Sequence, residues 1–161
     1  MLLNRFKGMR LLFYGAIVLL FWGCNGKDFL YHENISVADE VWTTKNLLPF
    51  SFSITDTNTA YRVGLTVRYT LDFPKQNMYI FLYTTFPNRT QTCDTVSIDL
   101  FAKDGTPYGK GSRIKELDVP IAKLRFPMSG QYDVHLEQGM RTDALEGVAS
   151  MGFYIMKPTK R

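Results

Sequence analysis

Every second residue across positions 61–71 is apolar (Tyr61, Val63, Leu65, Val67, Tyr69, Leu71), and the residues between them are Arg, Gly or Thr. A period of two held this long describes a β-strand with one dry and one wet face, because successive side chains of an extended chain point to opposite sides. On a helix the same six side chains would be scattered around the whole circumference. The stretch is also long against the usual five or six residues of a strand. A long strand with one oily side has to lie on a core that other strands build, and the flanking sequence supplies them.

Phe50, Phe52 and Ile54 alternate with serines, and Asp56-Thr57-Asn58-Thr59 is turn chemistry in which short polar side chains satisfy the backbone locally. Residues 29–48 mix Phe29, Tyr31 and Trp42 with acidic and turn-forming positions and read as a segment wrapped onto a sheet edge. Residues 78–86 are apolar or aromatic on both alternations until Thr84 and Thr85, which suits a strand covered on both faces or one lining an aromatic groove. Phe81 is assigned to the core, and Tyr79 and Tyr83 keep both readings. Over 94–102, Val96, Ile98, Leu100 and Ala102 point inward, and Asp104-Gly105 then marks a turn. Pro120 interrupts residues 117–126, as on an edge or bulged strand. Over 131–137, Tyr132, Val134 and Leu136 face in, while Asp133, His135 and Glu137 face out. Residues 138–147 lose the period and read as a short helical turn. A closing strand over 148–156 carries Met151, Phe153 and Ile155 on one side. About eight strands with turns between and no long helix predict an all-β protein, an antiparallel β-sandwich of jelly-roll-like form.

The N-terminus is of another kind. Arg5, Lys7 and Arg10 precede an apolar run of about twelve residues, Leu11 to Trp22, too short to cross a hydrocarbon core of ~30 Å but of the length of a secretory signal. The run ends in Phe21-Trp22-Gly23-Cys24. A small residue directly before a cysteine there is similar to a bacterial lipobox, whose cysteine becomes the first mature residue and carries the acyl chains. The expected organisation is a lipoprotein signal peptide over 1–23, a tether over 24–36 from acylated Cys24, and the sandwich over 37–161. At ~0.8 kcal/mol per buried methylene, two or three acyl chains (palmitate among them) hold such a domain on a membrane. Removing the three basic residues of the signal from 19 basic and 15 acidic leaves 16 and 15, a net charge of +1. A near-neutral body with dispersed Lys and Arg predicts no nucleic-acid partner. With Cys24 lipidated, Cys93 has no thiol partner in the chain and reads as a small buried hydrophobe.

No HExxH, P-loop, GxGxxG or CxxC motif is present. Asp133, His135 and Glu137, spaced ~6.6–6.8 Å along one strand face, have the residue types of a metal site. Alternation alone puts polar residues there, so the row is read as a solvated face. No enzyme activity, metal or cofactor is expected beyond the covalent lipid on Cys24. Tyr79 and Tyr83 are the candidate aromatics of a ligand groove, able to stack on a sugar or clasp a peptide if their side of the strand is open.

One set of residues carries a resemblance over nearly the whole chain. Phe126-Pro127, Gly130, Tyr132, Glu137-Gln138-Gly139-Met140-Arg141, Leu145, Gly147-Val148 and Gly152 resemble the gliding-motility lipoprotein GldH family of Bacteroidota. Upstream, Cys24, Phe52, Asp56, Tyr61, Gln76-Asn77-Met78-Tyr79-Ile80-Phe81, Pro87, Asp94-Thr95, Leu100, Gly105 and Gly109-Lys110-Gly111 follow in the same order. Tyr108 departs from the tryptophan expected in that loop. The resemblance implies an acylated envelope protein, on the outer membrane, that serves gliding and the type IX secretion machinery and acts with other gliding or secretion lipoproteins or envelope proteins. It implies no catalytic residue. On the residues themselves, Gln138, Met140 and Arg141 with Gly109 and Gly111 are the candidate partner-binding set, since Arg141 suits a bidentate contact with a carboxylate. The other reading has Arg141 bracing its own loop. Two functions follow, an assembly lipoprotein or a glycan- or peptide-binding one. Exposed, concave aromatics would favour the second; buried rings, the first.

Overall fold

Ten strands account for most of the described chain, residues 28–158, in a computed structural model. They are β1 (Phe29–Ser36), β2 (Val41–Thr43), β3 (Leu48–Ile54), β4 (Tyr61–Thr70), β5 (Asn77–Thr85), β6 (Gln91–Asp99), β7 (Ile114–Leu124), β8 (Gly130–Gln138), β9 (Ala144–Glu146) and β10 (Val148–Met156). Cys24 and the signal segment lie outside the described residues.

The eight long strands form two sheets, ordered β1-β10-β4-β7 and β3-β8-β5-β6, and the short β2 and β9 pair with each other. The outermost strands pair first, β1 with β10 and β3 with β8, and then β4 with β7 and β5 with β6, all antiparallel. That nested order is a long ribbon folded back and wound on itself, the jelly-roll form of the sandwich. Between the sheets lie the alternating residues of β3, β4, β8 and β10, among them Phe52, Leu65, Tyr132 and Phe153. Phe52 is central. It stacks on Tyr132 at 5.6 Å and on Phe153 at 5.7 Å, and meets Phe126 edge-on at 5.8 Å. Offset and edge-on pairs of this kind add ~0.5–1.5 kcal/mol each beyond the area they bury.

Several expectations change. The segment placed in the tether is, from Phe29 onward, strand β1, whose ladder to β10 runs from Phe29 opposite Met156 to Ser36 opposite Ser150. The long alternating strand stops at Thr70, and Leu71 is 50 % exposed. A turn closed by Phe73 N–H donating to the Thr70 carbonyl brings Phe73 into the core in its stead, edge-on to Tyr69. Strand β5 is covered on one face only, with Met78, Ile80 and Leu82 buried; Phe81, expected in the core, shares the outer face with Tyr79 and Tyr83. The expected helical turn over 138–147 is instead an irregular loop and the strand β9, held by its ladder to β2. Cys93 is exposed on the edge strand β6 rather than buried. Pro120 does lie on an edge strand beside a bulge, where the register of β7 against β4 shifts between Val63 and Gly64.

Register also sorts the loops into two ends. Phe29, Met156, Tyr61, Leu124, Ile54 and Gly130 meet at the end where the described chain enters. Ser36, Ser150, Thr70, Ile114, Leu48 and Leu136 meet at the other.

Candidate functional site

At the end away from chain entry, β8 delivers Gln138 inward, continuing the parity of Tyr132, Val134 and Leu136. The Gln138 side chain is 1 % exposed. Its Oε1 accepts from Met140 N–H at 2.8 Å and its Nε2 donates to the Thr142 carbonyl at 2.6 Å. Both ends of one buried amide therefore hold the loop that follows. The loop is fastened to β5 as well: Gly139 N–H donates to the Tyr79 carbonyl at 2.7 Å, and Met140 Sδ lies 3.3 Å from Tyr79 N. Thr44 N–H donates to the Asp143 carbonyl from the opposite side.

Arg141 is left at the crest of this loop, exposed, with no hydrogen bond or ion pair among the described residues. The bracing role is Gln138's. A cleft opens beside it, lined by Pro74, Lys75, Tyr79, Met140, Arg141 and Glu146 among others. Its walls carry two fixed positive charges, one carboxylate, a phenol and a thioether, a set suited to an acidic or amphipathic partner surface.

Gly109 and Gly111 belong to the same end but do not line the cleft. Their φ angles are +88° and +112°, and a Cβ would overlap the Glu116 carbonyl oxygen at the first and the Ile114 carbonyl oxygen at the second. They shape a turn in which Lys110 and Glu116 exchange backbone hydrogen bonds of 2.9 and 2.7 Å. The loop before it hangs on Tyr69, whose buried hydroxyl lies 2.6 Å from the Leu100 carbonyl and 2.7 Å from that of Tyr108. Burial pushes the Tyr69 phenol pKa up, against the hydrogen bond to Tyr108. Tyr108 itself is 45 % exposed, and Leu47 and Leu71 are exposed at this end too.

The groove aromatics separate. Tyr79 is 43 % exposed and lies in the cleft. Tyr83, 36 % exposed, lies four residues along β5 between Cys93 of β6 and His135 of β8. A hydrogen bond with the Glu137 carboxylate, then burial, pushes the Tyr83 phenol up to about 12. The structure thus brings together Tyr79, Met140 and Arg141, with Gln138 beneath them, and leaves Tyr83, Gly109 and Gly111 outside. Lys75 and Glu146 were missed from sequence; only the fold carries the turn before β5 to the end of β9.

A family model described as GldH lipoprotein matches residues 29–155. The chain is 26 % identical to a gliding motility lipoprotein GldH of Flavobacterium johnsoniae, over 94 % of this chain and 97 % of that one. It is 27 % identical to a gliding motility lipoprotein GldH homolog of Christiangramia forsetii, over 87 % and 90 %. A solved structure of infectious bursal disease virus, Gx strain, overlays 83 % of this chain and 33 % of that one at 16 % identity and a TM-score of 0.31, too loosely to bear on the fold.

Proposed function

The chain belongs to the GldH lipoprotein family, and from that membership we infer that it serves gliding motility as a lipid-anchored envelope protein working by contact rather than by catalysis. It acts as an assembly or accessory component of the gliding and type IX secretion apparatus, fixed through acyl chains on Cys24 to the outer membrane. The observation that carries the contact reading is Arg141, an exposed guanidinium unpaired among the described residues, raised beside Tyr79 on a loop that Gln138 holds from below. A preformed loop loses little conformational freedom on docking, so the charge it presents is available for a partner carboxylate.

The test is Arg141→Glu in the living cell. Unchanged thermal stability together with loss of a secreted reporter and of spreading supports docking at this loop. A variant that folds, secretes and spreads normally removes Arg141 from the account. A second reading has the cleft taking a glycan or a peptide, and the exposure of Tyr79 favours it. Titration of the purified body with oligosaccharides and acidic peptides, against Tyr79→Ala, separates the two readings: saturable binding lost in the variant selects the second.

A further inference from the structure

The end of the sandwich where the chain enters has its own surface chemistry. Lys157 N–H donates to the Asp28 carbonyl at 2.9 Å, so both described termini leave from the same place. Four residue steps separate Cys24 from Asp28, and even a fully extended chain covers no more than about 14 Å in four steps. Strand β7 closes the far side of the same sheet, three strand spacings from β1, or about 14 Å. Its last residue, Leu124, is opposite Tyr61 at the level of chain entry. There Ile121, close to the bulge, and Leu124 are each 37 % exposed. Lys123 and Lys157, both exposed, line one cleft with Ile121, together with Arg62 and the carboxylates Asp28, Asp56 and Asp118, and the exposed Arg125 follows Leu124. Asp118 is engaged by the Tyr154 phenol, and exposed apolar side chains beside Lys and Arg, whose stems lie along apolar surface while their charges reach outward, suit a membrane-interface contact at the rim of this cleft. Farther along the outer face of that sheet the pattern changes to Thr66 and the exposed Arg68–Glu116 pair at 3.7 Å.

Resting on the lipid anchor inferred above, we propose that the chain-entry end bears directly on a phospholipid surface. Ile121 and Leu124 enter the interfacial region, and Lys123, Arg125 and Lys157 meet lipid phosphates. Strand β4 then stands away from the membrane, and its nine steps from Tyr61 to Thr70 raise the Arg141 end by about 30 Å. The acyl chains supply attachment; this surface supplies orientation.

The experiment uses the full acylated chain in phosphatidylethanolamine–phosphatidylglycerol vesicles, with Cys93→Ser and one fluorophore at Leu124→Cys, Arg68→Cys or Leu71→Cys. Nitroxide lipids labelled near the headgroup should quench the probe at 124 about twofold or more and leave those at 68 and 71 unchanged, as a shallow contact at one end requires. In an Ile121→Glu, Lys123→Glu background the quenching at 124 should fall to the level seen at 71. Equal quenching at 68 and 124 means that the sheet lies flat and overturns the proposal. No quenching at 124 in chains that incorporate labelled palmitate overturns it while leaving the anchor standing. Chains that incorporate no palmitate bring down the anchor and this surface together.

Discussion

At the scale of single residues, one loop holds two long polar side chains with opposite duties. Gln138 is enclosed and bonded at both ends of its amide, so Gln138→Ala strands Met140 N–H and the Thr142 carbonyl at the cost of unmet buried hydrogen bonds. The expected loss is about 2–3 kcal/mol in urea unfolding. Arg141→Ala, which removes only solvated surface, should stay within about 0.5 kcal/mol of the parent. The reverse ranking would place the brace on Arg141. Sequence alone pointed to this segment and left the two duties undivided, although the parity of Tyr132, Val134 and Leu136 extended one more step puts Gln138 inside. Tyr69 is a second such case: its ring parity was legible, its hydroxyl's task was not. Because that hydroxyl stands between two backbone carbonyls, Tyr69→Phe should cost about 1–2 kcal/mol, measured the same way.

At the scale of elements, legibility followed burial. Strands β3, β4 and β8 bury their inward side chains and leave most outward ones at least partly exposed, Gly64 and Thr70 of β4 excepted, so their period of two is written in the chain. Strand β1 is an edge strand with no fully buried position, and it pairs through its backbone, which leaves little trace in side-chain polarity. Strand β5 misled in the opposite direction, since Tyr79, Phe81 and Tyr83 decorate an outer face and make the strand look enclosed. Strand β9 is too short to show any period. Pro120 on the edge strand β7 was readable because a proline has no N–H to give to a ladder. In the turn before β7, Pro107, Gly109 and Gly111 read as a loop of close backbone approach or positive φ, and the structure gives both to its two glycines, in a fixed shape. Gly109→Ala tests that shape: the methyl meets the Glu116 carbonyl at a φ that side chains avoid, and a loss of about 2 kcal/mol or more is expected. The exchange of hydrogen bonds between Lys110 and Glu116 should weaken with it, seen as faster amide hydrogen exchange at both residues. A neutral substitution would mean that the loop is free to take another path.

At the scale of the molecule, the sheets share a dependence on uncharged phenols that no single strand reveals. Tyr31, Tyr61, Tyr69, Tyr83, Tyr132 and Tyr154 all have pKa values raised in the fold, and they are spread over strands of both sheets. Burial is the leading cause for five of them, and Glu137 for Tyr83. A phenol whose folded pKa exceeds the unfolded value near 10 binds its proton more tightly in the native state. Its contribution is therefore complete below about pH 10 and drains as pH rises through the folded value. For Tyr31 and Tyr83 that value is about 12. Stability should accordingly change little with these groups up to about pH 9 and fall steeply above about pH 10. Because the rings interlock through Phe52, Phe126 and Tyr132, ionisation of the buried phenols should arrive together with collapse of the packing. An alkaline titration that follows phenolate absorbance and near-ultraviolet circular dichroism on one sample reads both. The expected result is a shared, cooperative step for the buried class; phenolate growing in gradually around pH 10 with the dichroism intact would show that these rings do not hold the sheets together.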